Sequence, residues 1–140
     1  MPKLDELVSP ERAAVLTMEM QRGVIGDLSA LRALADVINE QGVPERLGGL
    51  VESARRAEVP IIHCRAHFRP DRRGSYTNVP MVNHLLKNPE HMLEGEPTVD
   101  VIPELGPEPT DLDSVRLHGM SPFKGTVSYT HLTLPTICSV

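Results

Sequence analysis

The sequence predicts an α/β fold, a parallel sheet with helices packed against it. Three observations carry this expectation. Residues 13–18, AAVLTM, form a short apolar run with β-branched members, the pattern of a strand buried on both faces. Ile61-Ile62-His63-Cys64 repeats that pattern further along the chain. Between the two runs the apolar spacing is helical rather than alternating. Leu31, Leu34, Ala35 and Ile38 fall at i, i+3, i+4 and i+7, and Leu47, Leu50, Val51 and Ala54 do so again. Strand, helix and strand at this separation form a right-handed βαβ crossover.

Each element has its own local reasons. Pro10-Glu11-Arg12 precedes the first strand, and Glu19 stands at its carboxyl end. A loop with Gly23 and Gly26 follows, and Asp27 or Ser29 can cap the first helix. Gly42 suits its stop, and Pro44 suits the first position of the second helix. Pro60 ends the helical region. Residues 66–80 form a polar loop of functional length, and residues 81–86 a short helix or turn. Pro89, Pro97, Pro103, Pro107 and Pro109 exclude long regular structure from residues 88–112, which predicts an ordered surface excursion. Residues 114–117 are a third, short strand, and Ser121-Pro122-Phe123 is a turn. In such sheets active groups gather at the carboxyl ends of strands.

Composition narrows the function classes. The 140 residues are 40% hydrophobic and 24% charged, an ordinary globular balance. The net charge of −5 and the lack of a basic stripe argue against a nucleic-acid partner. No apolar run approaches the roughly 18 residues of a membrane span. The N-terminus carries acids and no apolar h-region, so no secretory signal is expected. Two cysteines, Cys64 and Cys138, cannot build a disulfide framework or a cysteine zinc site, which fits a reducing cytoplasm. Charge stops at Lys124, and residues 127–140 (VSYTHLTLPTICSV) carry none.

Several residues can carry chemistry. Glu19, just after a buried strand, is expected to be partly desolvated, with a raised pKa that suits a general acid or base. The alternative is a solvated loop acid. His63, His67 and Asp71 have metal-ligating side chains at spacings of four. Yet i and i+4 on a strand stand far apart, and no third histidine is fixed nearby, so no metal is expected. Cys64 lies mid-strand, where burial makes a thiol inert. Arg69, Arg72 and Arg73 form a basic loop with Gly74, either a clamp for a substrate carboxylate or a solvated loop pairing with nearby acids. His118 is a candidate proton carrier, and Lys124 either an electrostatic helper or a surface lysine. No phosphate-binding glycine loop and no nucleophile elbow is present, and no cofactor is expected.

Residues 14–23, AVLTMEMQRG, resemble the strand-one motif of the isochorismatase-like cysteine hydrolase superfamily, which includes nicotinamidases and N-carbamoylsarcosine amidases. The usual Asp-x-Gln is Glu19-Met20-Gln21 here. The resemblance continues through Val59-Pro60-Ile61-Ile62-His63-Cys64-Arg65. It resumes at Ser121-Pro122-Phe123-Lys124-Gly125-Thr126, similar to the family's S-x-F-x-G-T. Together these motifs span residues 10–126. The resemblance implies a Rossmann-like three-layer α/β/α domain with a six-stranded parallel sheet in the order 3-2-1-4-5-6, of which this chain holds the N-terminal part. It also implies a Cys-Asp-Lys triad. Glu19 takes the place of the acid. The lysine's place, four residues before the serine, is Leu117, flanked by Arg116 and His118. The family's nucleophile lies beyond a further helix and strand, so the chain is expected to stop before it, and Cys138 does not take its place.

On this reading Glu19 is the catalytic residue, and Gln21, Arg69, His118 and Phe123 contact substrate. The expected activity is hydrolysis of a small amide, ureide or vinyl ether. The alternative is a degenerate relative that binds a small ligand without turnover. The partner is a small molecule, not nucleic acid or membrane, and the parent protein is expected to be a homo-oligomer. By the family's strand order, the first strand becomes an exposed edge in this chain, and little activity is expected of it alone. VSYTHLTLPT resembles the translation of a transposon-based sequencing-library adapter. Residues 127–140 are therefore expected to be a non-native tail behind a domain segment of residues 1–126.

Overall fold

A computed structural model describes residues 8–75 and 78–117. Three strands, β1 (Val15–Met18), β2 (Ile61–Ala66) and β3 (Leu112–Arg116), form one parallel sheet in the order β1-β2-β3. Between β1 and β2 run helices α1 (Arg32–Glu40) and α2 (Val43–Arg56). A short α3 (Pro80–Leu85) follows β2. The proline-rich excursion then makes two single 3-10 turns, Pro97–Val99 and Pro103–Leu105. This is the α/β arrangement that the apolar runs predict. The three strands lie in the order that the resemblance implies for this part of the sheet, and among the described residues β1 pairs with β2 alone.

Register sets the two faces of the sheet. Thr17 pairs with His63, and His63 with Asp113; Met18 pairs with Cys64, and Cys64 with Ser114. Because side chains alternate along a strand, Val15, Thr17, Ile61, His63 and Arg65 share one face. Val15 and Ile61 pack there against Val51 and Ala54 of α2, with Ile25, Ile102 and Leu105 completing the core. Cys64, Ala66 and Arg116 lie on the other face. A second, smaller core forms beside them from Ala66, Phe68, Met92 and Val99.

The helices follow their spacing only in part. Ala35, Val51 and Ala54 are buried, but Leu34 and Leu50 are 45% and 52% exposed. The protein interior therefore meets a narrower stripe than the apolar spacing predicts, centred on small residues. Leu31 takes the cap position of α1, and the expected caps act differently. Ser29 Oγ accepts the Leu31 N–H from two residues outside, and Asp27 pairs with Arg22. Gly42 joins α1 to α2 with φ +62°, a left-handed value that glycine adopts without strain. Pro44 falls in the first turn of α2, at its second position instead of the expected first. Strand β3 starts two residues earlier than its apolar pattern predicts, because the exposed Leu112 and Asp113 give no buried-strand signal.

Close packing makes two adjacent glycines of α2 unequal. A Cβ on Gly48 would lie 2.2 Å from the carbonyl oxygen of Glu104, in the second 3-10 turn, while one on Gly49 meets nothing within 4 Å. Gly48→Ala is therefore expected to cost about 2–3 kcal/mol through forced backbone displacement. Gly49→Ala is expected to gain about 0.5–1 kcal/mol from helix propensity. Urea unfolding of the two variants checks the opposite signs.

Candidate functional site

The site begins at the carboxyl end of β1. Glu19 N–H still donates to the Cys64 carbonyl at 2.9 Å, extending the ladder by one residue. Its own φ is +56°, a left-handed value uncommon outside glycine and costly for a side chain such as glutamate. The turn that follows is tied down at once. Gln21 N–H donates to the Glu19 carbonyl at 2.8 Å. The Gln21 amide donates to the Ala66 and Val99 carbonyls and accepts from the Ala66 N–H, at 2.8–3.0 Å. Beyond it, Arg22 and Gly23 donate backbone hydrogen bonds to Asp100 and Thr98. Gly23 is needed for this contact, since a Cβ there would lie 2.7 Å from the Thr98 carbonyl oxygen. These bonds draw the proline-rich excursion against the end of β1.

Beside this turn lies a small cavity of about 70 Å³. Glu19, Arg116 and His91 are its ionisable lining groups, and Ala66, Phe68, Leu85 and Met92 supply apolar wall. Arg116 ends β3, its side chain 1% exposed, and its Nη2 donates to Glu19 Oε1. The side chain of Glu19 is 39% exposed. A neighbouring guanidinium favours the ionised carboxylate, which opposes the expected effect of desolvation. Arg116 Nε and Nη1 are buried and have no hydrogen-bond partner. Burial pushes the Arg116 guanidinium below its usual range, though an arginine keeps its proton in a protein. His91 is pushed down chiefly by burial, then by the charge of Arg72, and is neutral at pH 7.

The other candidates fall elsewhere. Gln21 is fully buried, and both hydrogens of its amide nitrogen are engaged by the backbone. It braces the turn behind Glu19 instead of facing the cavity. Arg69 does not line the cavity, and it forms a two-bond pair with Asp71 on the surface. Arg72 stacks over Phe68, 5.2 Å from the ring centre, and donates to the carbonyls of Asn88, Pro89 and His91. The basic loop is thus satisfied within itself and with its neighbours. His118, Phe123, Ser121, Lys124, Cys138 and the charge-free tail lie outside the described residues.

Arg116 and His91 are the ionisable cavity residues to which the sequence assigned no role. Counting back from Ser121 points to Leu117, but pairing of Arg116 with Ala66 places Arg116 on the cavity face. Alternation puts Arg116 on the face of Ser114, and pairing with β2 is what identifies that face as the cavity's. Cys64 is buried, its thiol pushed up by burial against the opposing hydrogen bond of Ser114.

On the opposite face of the sheet lies a larger open groove of about 550 Å³. His63 sits at its floor between Thr17 Oγ1 (2.8 Å) and Asp111 Oδ2 (3.1 Å), with Arg55 also bound to that aspartate. Its polar floor is mutually satisfied, so it lacks the unpaired donors of the smaller cavity. Among the described residues no group of three or more His, Cys, Asp or Glu could hold a metal ion. None of their helices is long and apolar enough to cross a membrane.

Two buried histidines link the fold to pH. His67, with neither ring nitrogen paired, is pushed down by burial first and by Arg65 second, and His91 is pushed down as above. Both bind a proton more readily unfolded than folded. Their stabilising contribution is full above about pH 6.5 and falls as pH drops through that value, by at most roughly 1.4 kcal/mol per pH unit for each. The urea midpoint is expected to be lower at pH 5.5 than at pH 7.5, with a shallower dependence in His67→Leu.

With the geometry in place, likeness to known proteins becomes informative. The sequence profile of the isochorismatase domain matches residues 13–129. A cysteine hydrolase from Pseudomonas syringae pv. phaseolicola 1448A is similar at 26% identity and a TM-score of 0.58, over 89% of this chain and 55% of that one. An isochorismatase family protein from Desulfovibrio vulgaris subsp. vulgaris str. Hildenborough is similar at 19% identity and a TM-score of 0.62, over 86% and 59%. N-carbamoylsarcosine amidase from Thermoplasma acidophilum is similar at 21% identity and a TM-score of 0.51, over 88% and 61%. The chain therefore spans less than two thirds of the length of these structures. No curated protein matches it.

Proposed function

The chain belongs to the isochorismatase domain family, and on that premise we propose that its protein hydrolyses a small amide, ureide or vinyl ether with Glu19 as the acid/base group. One observation carries the reading. A carboxylate held in a left-handed backbone conformation meets a buried guanidinium in a cavity with largely apolar walls. Backbone strain of this kind persists only where the surroundings over-determine it, and it clusters at functional sites. The Arg116 guanidinium beside Glu19 favours the carboxylate form, the form that acts as a base. Glu19 takes a proton from the attacking water or thiol as the new bond to the carbonyl carbon forms. It returns that proton to the departing nitrogen as the C–N bond breaks. An amide or ureide suits this starting state. Protonating a vinyl ether needs the carboxylic acid, and so needs the positive charge of Arg116 to be engaged by something else.

Ligand binding without turnover is a second reading, favoured by the guanidinium of Arg116 beside Glu19, in the region where the family resemblance places a lysine. Turnover by the full-length protein across primary amides, ureides and vinyl ethers separates the two. The hydrolase reading expects activity on at least one class and its loss in Glu19→Gln. Full activity in that variant overturns Glu19's role, and binding with no turnover favours the second reading.

A further inference from the structure

We propose that His91 hydrogen bonds directly to the substrate and fixes its amide or ureide group beside Glu19. The inference rests on the reading of this cavity as the substrate site, and it deepens that reading by naming the residue that holds the polar end of the substrate.

The observation behind it is a bare imidazole on a segment that is otherwise fastened. The His91 N–H donates to the Asn88 carbonyl at 3.3 Å, and the His91 carbonyl accepts from Arg72 Nη1 at 3.2 Å. Met92, next in the chain, donates its N–H to Thr98 Oγ1 at 3.0 Å and accepts from the Phe68 N–H at 2.6 Å. Among the described residues four non-glycines have left-handed backbone, and two of them, Glu19 and Met92, line this cavity. The His91 side chain stands outside that network. The residue is 4% exposed and lines the cavity, yet its ring nitrogens make no hydrogen bond among the described residues. The unpaired nitrogens of His67 and Arg116 are sealed within the protein. Those of His91 are not sealed, and the space beside them is the cavity that the ring lines. A buried polar group without a partner is costly, so one that opens onto a cavity marks where a ligand completes the bond.

Imidazole chemistry says what would complete it. Burial first, and the charge of Arg72 second, keep the ring neutral at pH 7. A neutral imidazole has one N–H donor and one acceptor nitrogen, and either nitrogen can carry the hydrogen. An amide or ureide has a carbonyl acceptor and N–H donors, so it satisfies whichever nitrogen it meets. The charge of Arg116 is already matched by Glu19, so an uncharged group enters without leaving an unbalanced charge against the apolar walls. The cavity volume is about 70 Å³, and a water-sized group needs roughly 10–15 Å³, so a polar group of a few heavy atoms fits. Held by His91, that group lies in the same small space that Glu19 lines.

The test uses propionamide, titrated into full-length wild type and full-length Glu19→Gln and followed by NMR. The ring ¹⁵N resonances of His91 are expected to shift on addition in both. His91→Phe keeps an aromatic ring without the nitrogens and is expected to bind propionamide about tenfold less tightly, the worth of one hydrogen bond. His91→Asn and His91→Gln carry an amide at the reach of Nδ1 and of Nε2. One of the two is expected to restore affinity to within about threefold of wild type, which a residue that only packs the wall would not require. Absence of propionamide binding, ring resonances unmoved at saturation, wild-type affinity in His91→Phe, or no rescue in either folded amide variant would each overturn the proposal. The wild-type resonances decide the matter even if the variants do not fold. Hydrolysis lost in Glu19→Gln with the His91 ring unmoved would leave the role of Glu19 standing and remove this one. A shifted ring with undiminished turnover in Glu19→Gln would do the reverse.

Discussion

Gln21→Met is expected to cost about 2–6 kcal/mol, the largest stability loss of any single polar replacement near the site. The side chain is fully buried and satisfies three backbone groups on two separate segments: the N–H and C=O of Ala66 and the C=O of Val99. Methionine matches the length of glutamine and adds little strain, so the effect isolates the hydrogen bonds. Val99 keeps a bond from Arg65, but both groups of Ala66 are left buried and unpaired. An orphaned buried group costs about 1–3 kcal/mol, and two of them set the range. Urea unfolding reads the loss, and a change under about 1 kcal/mol would mean that the clamp is not holding the turn. Gln21→Glu gives a sharper second test. Its carboxylate can accept from the Ala66 N–H, but it faces two carbonyl oxygens with no hydrogen to offer. Protonation restores a donor, so its folded pKa is expected to rise above the unfolded value near 4.3. Relative to wild type, that variant should be least destabilised below about pH 4.3, and the gap should widen as pH rises through the folded value.

Gln21 also shows where reading a sequence stops. Its place two residues after a catalytic-type acid was visible, and so was the family pattern around it. Whether a polar side chain at such a turn faces a ligand or the chain's own backbone depends on Ala66 and Val99, far away in sequence. Glu19 was legible because its position follows from one local fact, the end of an apolar run. Strands β1 and β2 and both long helices were legible from the same kind of local pattern. Arg116 was not, because β3 has little apolar patterning to fix its register. Only pairing with β2 shows that Arg116, not Leu117, reaches the cavity face. His91 was hidden for a related reason. It sits in a stretch whose prolines exclude regular elements, and its environment is built by long-range contacts, such as the bridge between Phe68 and Leu93. The cationic loop erred in the other direction. Arg69 looked available because sequence shows charges but not their geometry, and its partner Asp71 is only two residues away.

Glu19→Gln is expected to lower kcat/KM by about 10²–10⁴, the usual contribution of a positioned acid or base. Glutamine keeps the shape and can still accept from Arg116 Nη2, so the change removes proton transfer more than packing. It also leaves the buried guanidinium without a counter-charge, and breaking such a pair carries its own penalty. That penalty is moderated because the Glu19 side chain is 39% exposed and water reaches it. Assays below the variant's unfolding midpoint keep the two effects apart. Glu19→Asp separates them further. Aspartate tolerates a left-handed backbone better than glutamate does, so the observed φ of +56° becomes less costly, which offsets part of the loss from a weakened pair with Arg116. The carboxylate, however, withdraws by one methylene from Arg116 and from any substrate seated beside it. A misplacement of about 1 Å can cost on the order of 10²-fold in rate. If Glu19 works through proton transfer, Glu19→Asp should therefore lose far more turnover than its change in stability accounts for. If Glu19 serves only to anchor Arg116, turnover should instead track stability across Glu19→Asp and Glu19→Gln. An aspartate variant that stays fully folded at the assay temperature yet is about 10²-fold less active would assign the reach of the glutamate to the chemistry, because pairing with Arg116 alone does not require it to meet the substrate.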